Sequence, residues 1–394
     1  MSDHRSRKTF RRTALLTAGL AGLATSAAAF ADSPGSLRDL LERRGTLIEQ
    51  QAKTRSETEK LEARVTAESR SGVRRLRIRD FQYLSDSGRD FGGYNLGAGS
   101  WDTEVAVLAS AIADEFAIQA AAQKLPVDHI AVEFTSYPDD PATEKARKVA
   151  YPRNLTYVAY IDSPATDAQL ATLRQAVEKT SPVLNLISGG YPIPHGEIIL
   201  KPSPATRDAD LPPGLRDFLV EKRGAILRRD KRAATNPPRA YALRAVSTVE
   251  PATGIRTTRT GEGNFQIVHD SRKEFGGYGL APTVEEHQIG VLGTCLTHIF
   301  EIQAATKQVV LDSLEVHVEG KLTPRIGSGA TQPPRYQDIK YTVHIETPAT
   351  AAEIDGLRQA VEATCPVYNL LKDGQAVKGS LVRGRYAEKA KPAT

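Results

Sequence analysis

From Val284 to Lys307 the apolar residues Ile289, Leu292, Leu296, Ile299 and Ile302 recur three or four apart, the stripe of a helix with one buried face. Leu314-Glu-Val-His-Val-Glu319 and Tyr341-Thr-Val-His-Ile-Glu346 instead alternate at period two, so each predicts a strand with one face to the core and one to water. Upstream, Ala242–Val249 and Ile255–Thr260 flank Glu250-Pro-Ala-Thr-Gly254 and predict a hairpin, which Phe265-Gln-Ile-Val268 extends. Thr350-Ala-Ala-Glu353 has the spacing of a capping box and opens a helix over Ala351–Thr364, ended by Cys365-Pro366. Hairpin, helix, strands, helix and a last strand make an α+β domain.

The pattern occurs twice. Phe91-Gly-Gly-Tyr94 returns as Phe275-Gly-Gly-Tyr278, Ile118-Gln-Ala-Ala121 as Ile302-Gln-Ala-Ala305, and Leu173-Arg-Gln-Ala-Val-Glu178 as Leu357-Arg-Gln-Ala-Val-Glu362, each at an offset of 184 residues. A period this long predicts a duplicated domain, being far outside the roughly 20–50 residues of solenoid repeats. Each copy has a helical lead-in, Leu37-Arg-Asp39 through Arg44-Gly45 and Leu215-Arg-Asp217 through Arg223-Gly224, with the offset slipping from 178 to 179. The proline-rich stretch Lys201–Pro213 reads as the linker. The expected division is a leader over 1–31, a first domain over 32–205 and a second over 206–394. The Phe-Gly-Gly-Tyr segments lack the strand-to-helix fingerprint of phosphate loops and read as turns.

Charge changes the picture only through the leader. Arg5, Arg7, Lys8, Arg11 and Arg12 precede Ala14-Leu-Leu-Thr-Ala-Gly-Leu-Ala-Gly-Leu23 and Ala29-Phe-Ala31, the layout of an export signal. Arg11-Arg12 resembles a twin-arginine signal, so the expected location is periplasmic or otherwise extracytoplasmic, with no stable membrane insertion after cleavage. No later segment is expected to span a membrane. Those five basic residues against Asp3 carry most of the net charge of +5, leaving the mature chain near +1, and nucleic-acid binding loses its electrostatic basis. Arg228-Arg229-Asp230-Lys231-Arg232 then reads as a solvated helix end and loop.

An exported chain whose cysteines are Cys295 and Cys365 either bridges them or uses them. Pro366 disfavours a helical Cys365 and suits the first residue of a new helix, which puts Cys365 at an N-cap where free N–H groups would favour a thiolate. The first half has Ser181 there, an ordinary capping residue, and Ala111 in place of Cys295. Both sulfurs are absent together, as a working pair requires.

Pro282-Thr-Val-Glu-Glu-His-Gln-Ile-Gly-Val-Leu-Gly-Thr-Cys-Leu296, Leu311-Asp-Ser-Leu-Glu-Val-His-Val-Glu-Gly320 and Cys365-Pro-Val367 with Leu370-Leu371 resemble the OsmC/Ohr family, osmotically induced proteins and organic hydroperoxide reductases. The resemblance covers roughly 240–385 and, through the repeat, roughly 70–200. It implies two tandem OsmC-like domains, with antiparallel sheets wrapped around central helices as an internal pseudo-dimer. It implies further that Cys295 attacks a peroxide and Cys365 resolves it. The family's glutamate, ten residues before the helix cysteine, falls on Glu285, and its partner arginine on Arg256 or Arg259 of the hairpin; the first half has Trp101 and Asp102 at the positions of Glu285 and Glu286. The implied activity is a thiol-dependent reduction of organic hydroperoxides, with a sulfenic acid on Cys295, a Cys295–Cys365 disulfide and an external dithiol as reductant. A pocket over Ile289, Leu292 and Leu296 would favour alkyl hydroperoxides, although core packing is the ordinary role of such a stripe. His298 could act as a base or be a half-buried polar residue, and no cofactor or metal is expected. The competing reading is a non-catalytic OsmC-like binding or stress-response protein with a structural disulfide.

Overall fold

In the computed structural model, residues 35–51, 57–138, 151–206, 208, 210–236, 242–261, 264–324 and 333–387 are described. The first half supplies helix α1 (Leu37–Gln51), strands β1 (Glu59–Ala67), β2 (Arg74–Ile78) and β3 (Phe81–Ser85), helix α2 (Ser100–Ala122), strands β4 (His129–Ser136) and β5 (Leu155–Asp162), helices α3 (Asp167–Thr180) and α4 (Pro182–Gly189), and strand β6 (Glu197–Pro202). The second repeats the order as α5 (Leu215–Thr235), β7 (Leu243–Val249), β8 (Arg256–Thr260), β9 (Phe265–His269), α6 (Val284–Lys307), β10 (Ser313–Leu322), β11 (Tyr336–Thr347), α7 (Ala351–Thr364), α8 (Pro366–Asp373) and β12 (Lys378–Arg383).

Neither sheet respects the boundary near residue 205. One runs β3-β2-β1-β10-β11-β6 and the other β12-β5-β4-β7-β8-β9, so each takes strands from both halves. The exchange is made by antiparallel pairing of β1 with β10, from Glu59 opposite Leu322 to Thr66 opposite Glu315, and of β4 with β7. β6 and β12 close the edges in parallel with β11 and β5. The two halves are therefore intertwined, and the pseudo-dimer is a mutual exchange of strands.

The central helices lie between the sheets. α6 packs on β1, β2 and β10, α2 on β4, β7 and β8, and the two helices pack on each other. Along β5 buried and half-buried residues alternate, as the period-two pattern requires. Buried residues such as Val316, Val318, Val343 and Ile345 stabilise this layer by about 1.5–3 kcal/mol each. Capping boxes start three helices, at Thr283 with Glu286, Thr350 with Glu353 and Thr166 with Gln169. α2 is long and apolar enough to cross a membrane, which corrects the expectation that no later segment would be, and it is core: 89% of its apolar window is buried.

Two details of the repeat differ from the sequence reading. The lead-in helices keep one register: Leu37, Leu40, Leu41 and Arg44 are buried in α1 as Leu215, Phe218, Leu219 and Lys222 are in α5, so Lys222 occupies the place of Arg44. Lys201 and Pro202 end strand β6 instead of beginning a linker. The Phe-Gly-Gly-Tyr segments are turns built around a buried carboxylate. Asp86 accepts from the N–H groups of Ser87, Tyr94 and Leu96, and Asp270 from those of Ser271, Tyr278 and Leu280. Gly92 and Gly276 have φ of 75° and 80°, a region that favours glycine. A Cβ on Gly93 or Gly277 would lie 2.1 or 1.7 Å from a carbonyl oxygen of the same turn. The leader lies outside the described residues.

Candidate active site

Cys295 sits in the middle of α6, and Cys365 is both the last residue of α7's turn and the N-cap of α8, with φ −69° and ψ 117°. Pro366 at the first position of α8 forces that break. The break aims one sulfur at the other: Cys365 Sγ donates to Cys295 Sγ across 3.4 Å, and both are free, buried thiols. Burial and the bond to Cys295 push the Cys365 thiol well above its ordinary value, while the N–H groups of Tyr368 and Val367 pull weakly the other way. The thiol makes no capping hydrogen bond. The thiolate character expected of Cys365 from its N-cap place is therefore overturned, because burial outweighs the helix terminus. In the first half Ser181 does cap, its Oγ accepting from Leu184 N at 3.4 Å.

The arginine that meets this centre is neither Arg256 nor Arg259. It is Arg74 of β2, a fully buried side chain held against His298, one turn beyond Cys295 on α6. Its Nη1 donates to Ser87 Oγ and to His298 Nδ1, both at 3.2 Å, its Nη2 lies 3.4 Å from Ser85 Oγ, and Glu301 stands 3.8 Å away. Arg256 donates to Gly254 O, Ser271 Oγ and Asp270 O and pairs with Asp114 at 3.0 Å, all beside Ala111 of the first half's helix. Arg259 points outward from β8. The physical reason is strand exchange: β2 packs on α6 and β8 on α2, so each helix receives the other half's hairpin.

Glu285 lies buried in the first turn of α6, ten residues and about 15 Å of helix before Cys295. Its carbonyl accepts from Tyr336 Oη. The carboxylate that Arg74 meets is Glu301, buried and also 3.0 Å from Lys222 Nζ. His298 is held well below its ordinary value by burial and by the charges of Arg74 and Lys222. It is neutral, and its Nδ1 accepts from the guanidinium, which occupies the lone pair a base would use. Ile289, Leu292 and Leu296 are core residues at 2%, 0% and 0% exposure, so the pocket expected over them is absent. A cavity of about 320 Å³ opens instead between the halves, lined by Tyr83, Leu84, Leu96, Phe265, His287 and Thr294 among others. It reaches Ser85, the partner of Arg74, and the residue preceding Cys295.

Next to Cys365, Glu362 accepts from Tyr341 Oη at 2.6 Å, Gly196 N at 3.0 Å and Arg358 Nη1 at 2.8 Å. Tyr157 and Arg174 donate to Glu178 as Tyr341 and Arg358 do to Glu362, in the half where there is no sulfur, so these two bonds secure a helix to a sheet. Among the described residues no group of three His, Cys, Asp or Glu could hold a metal. Sequence reading missed Arg74, Lys222, Glu301 and Ser87. Only Lys222 left a signal, a lone lysine in the apolar stripe Leu215, Phe218, Leu219, Ile226.

Residues 277–379 match the family model of the OsmC-like proteins. No curated protein matches the chain in sequence. Among solved structures it is similar to an organic hydroperoxide resistance protein OsmC from Legionella pneumophila, at 18% identity over 36% of this chain and 98% of that one, with a TM-score of 0.29. An OsmC-like protein from Mycoplasma pneumoniae gives 18%, 36%, 96% and 0.26. An osmotic stress-induced and detoxification response protein from Psychrobacter arcticus gives 15%, 33%, 87% and 0.26.

Proposed function

We propose, from the premise that residues 277–379 form an OsmC-like domain, that this chain is a thiol-dependent reductase of organic hydroperoxides. The observation that carries the reading is the 3.4 Å approach of Cys365 Sγ to Cys295 Sγ, one helical turn from His298, which the Arg74 guanidinium contacts. Cys295 is the attacking sulfur: Cys365 directs its proton at Cys295 Sγ, and burial keeps that proton on Cys365. The thiolate attacks the distal oxygen of ROOH, the O–O bond breaks, and the alkoxide takes a proton to leave as ROH. Cys295 is then a sulfenic acid. Cys365 attacks that sulfur, and its proton and the departing hydroxide form water as the disulfide closes. An external dithiol returns two electrons and two protons. The first half, with Ala111 and Ser181, supplies the scaffold and the Arg74 hairpin. The leader places this chemistry outside the cytoplasm.

Two variants test the reading. Cys295→Ser should abolish turnover, since a hydroxyl is a far weaker nucleophile than a thiolate. Cys365→Ser should consume one equivalent of hydroperoxide and stop at a Cys295 sulfenic acid that dimedone labels. Turnover by Cys295→Ser at the parent rate would replace the enzyme reading with a structural or binding role for the cysteines.

A further inference from the structure

Glu301 has a choice of cations. Its Oε2 lies 3.0 Å from Lys222 Nζ and 3.8 Å from Arg74 Nη1, and all three side chains are at most 1% exposed. Arg74 meanwhile spends its hydrogen bonds on the neutral Ser85, Ser87 and His298, and its Nε has no partner. We propose that Lys222, carried by the lead-in helix α5 outside the matched segment, is a positioning residue of the cysteine centre: it holds Glu301 nearer to itself than to Arg74, so that the Arg74 charge on the Cys295 helix is less closely paired. The proposal rests on the reading of Cys295 as the attacking thiol.

The sulfur-free half provides the contrast within the same chain. Arg44 takes the place of Lys222 and Arg256 that of Arg74, but the carboxylate has moved by one turn. Asp114 stands where His298 stands, and Ala117 where Glu301 stands. Asp114 binds the guanidinium directly, 3.0 Å from Arg256 Nη1, and accepts from Ser271 Oγ at 2.8 Å. In the sulfur-free half the carboxylate is nearer the hairpin arginine, 3.0 Å from Arg256 against 3.5 Å from Arg44; in the other half it is nearer the lead-in cation, 3.0 Å from Lys222 against 3.8 Å from Arg74. The other charge facing the pair is Asp86, whose carboxylate is taken by three backbone N–H groups of its turn. A cation whose counter-ion is farther away in a low-dielectric site acts more strongly on a neighbouring sulfur than a closely paired one does.

The test reads the ultraviolet thiolate absorbance of Cys295 at neutral pH in a Cys365→Ser background, where it is the sole thiol. Lys222→Met should lower the signal by up to about tenfold, because Glu301 then falls back on Arg74. Lys222→Met with Glu301→Leu should restore it, and Lys222→Arg should keep it, as Arg44 shows that an arginine fits. His298→Asp with Glu301→Ala copies the first half's arrangement, carries no unpaired charge, and should lower the signal as Lys222→Met does. That variant decides the matter if Lys222→Met does not fold. A parent-like signal in it, or a double Lys222/Glu301 variant as weak as Lys222→Met, would overturn the role of Lys222 even if the parent reduces hydroperoxides. A parent inert to hydroperoxide would remove the reductase reading while leaving the effect of Lys222 on the sulfur in place.

Discussion

Glu104 and Gln288 hold equivalent places in the two halves, and they touch: Gln288 Nε2 lies 3.1 and 2.9 Å from the two carboxylate oxygens of Glu104. Equivalent residues therefore meet where α2 and α6 pack on each other. Burial pushes the Glu104 carboxyl up to about 7, and no cation offsets it. Gln288 Oε1 lacks a donor, which a protonated Glu104 would supply. A folded-state value above the unfolded one means stability that is full below about pH 4.3 and lost as pH rises through about 7. Glu104→Gln makes this contact neutral at every pH. Urea unfolding at pH 5 and pH 8 should show the parent losing on the order of 2–3 kcal/mol more than the variant over that interval. Equal losses would show that Glu104 does not titrate there.

The exchanged hairpins make two arginines distinguishable. Arg74→Met should slow oxidation of Cys295 by about two orders of magnitude by removing the cation beside the sulfur. Arg256→Met should leave that rate intact and instead cost about 3 kcal/mol, as Asp114 loses its closest cation in a buried site. Single-turnover rates and urea midpoints for the two variants settle the assignment, and the reverse pattern would return the role to Arg256.

Ser181 caps α4. Ser181→Ala should cost about 1 kcal/mol of stability through the lost bond to Leu184 N. Its hydroperoxide rate should match the parent's, and a slower rate would mean that the first half takes part in the reaction.

Export makes a mass prediction. Cleavage after Ala31 should give an extracytoplasmic protein that begins at Asp32, read by intact mass and N-terminal peptide mapping. A full-length cytoplasmic form as the sole species would contradict it.

What the sequence disclosed followed from how local each feature is. The helix Val284–Lys307 and the Cys365 cap depend on spacing and on Pro366, and both stand in the structure at the expected residues. Arg74 could not be chosen over Arg256, because nothing local records that β2 crosses to α6 while β8 goes to α2. Glu301 was not singled out for a related reason: it shares one helix with Glu285, and only the position of Lys222 and Arg74 shows that it is the carboxylate these two cations meet. The Cys365 thiolate was inferred from a helix terminus alone, and the complete burial of that sulfur reverses it.

The central claim is that Cys295 and Cys365 together take two electrons from a hydroperoxide. Stopped-flow mixing of the reduced, leaderless protein with one equivalent of an alkyl hydroperoxide, followed by peptide mapping, tests it most directly. Rapid loss of both thiols, release of one alcohol and a single disulfide linking Cys295 to Cys365 are expected. Thiols that remain titratable after the peroxide is added, or peroxide consumed with both cysteines still reduced, would contradict it.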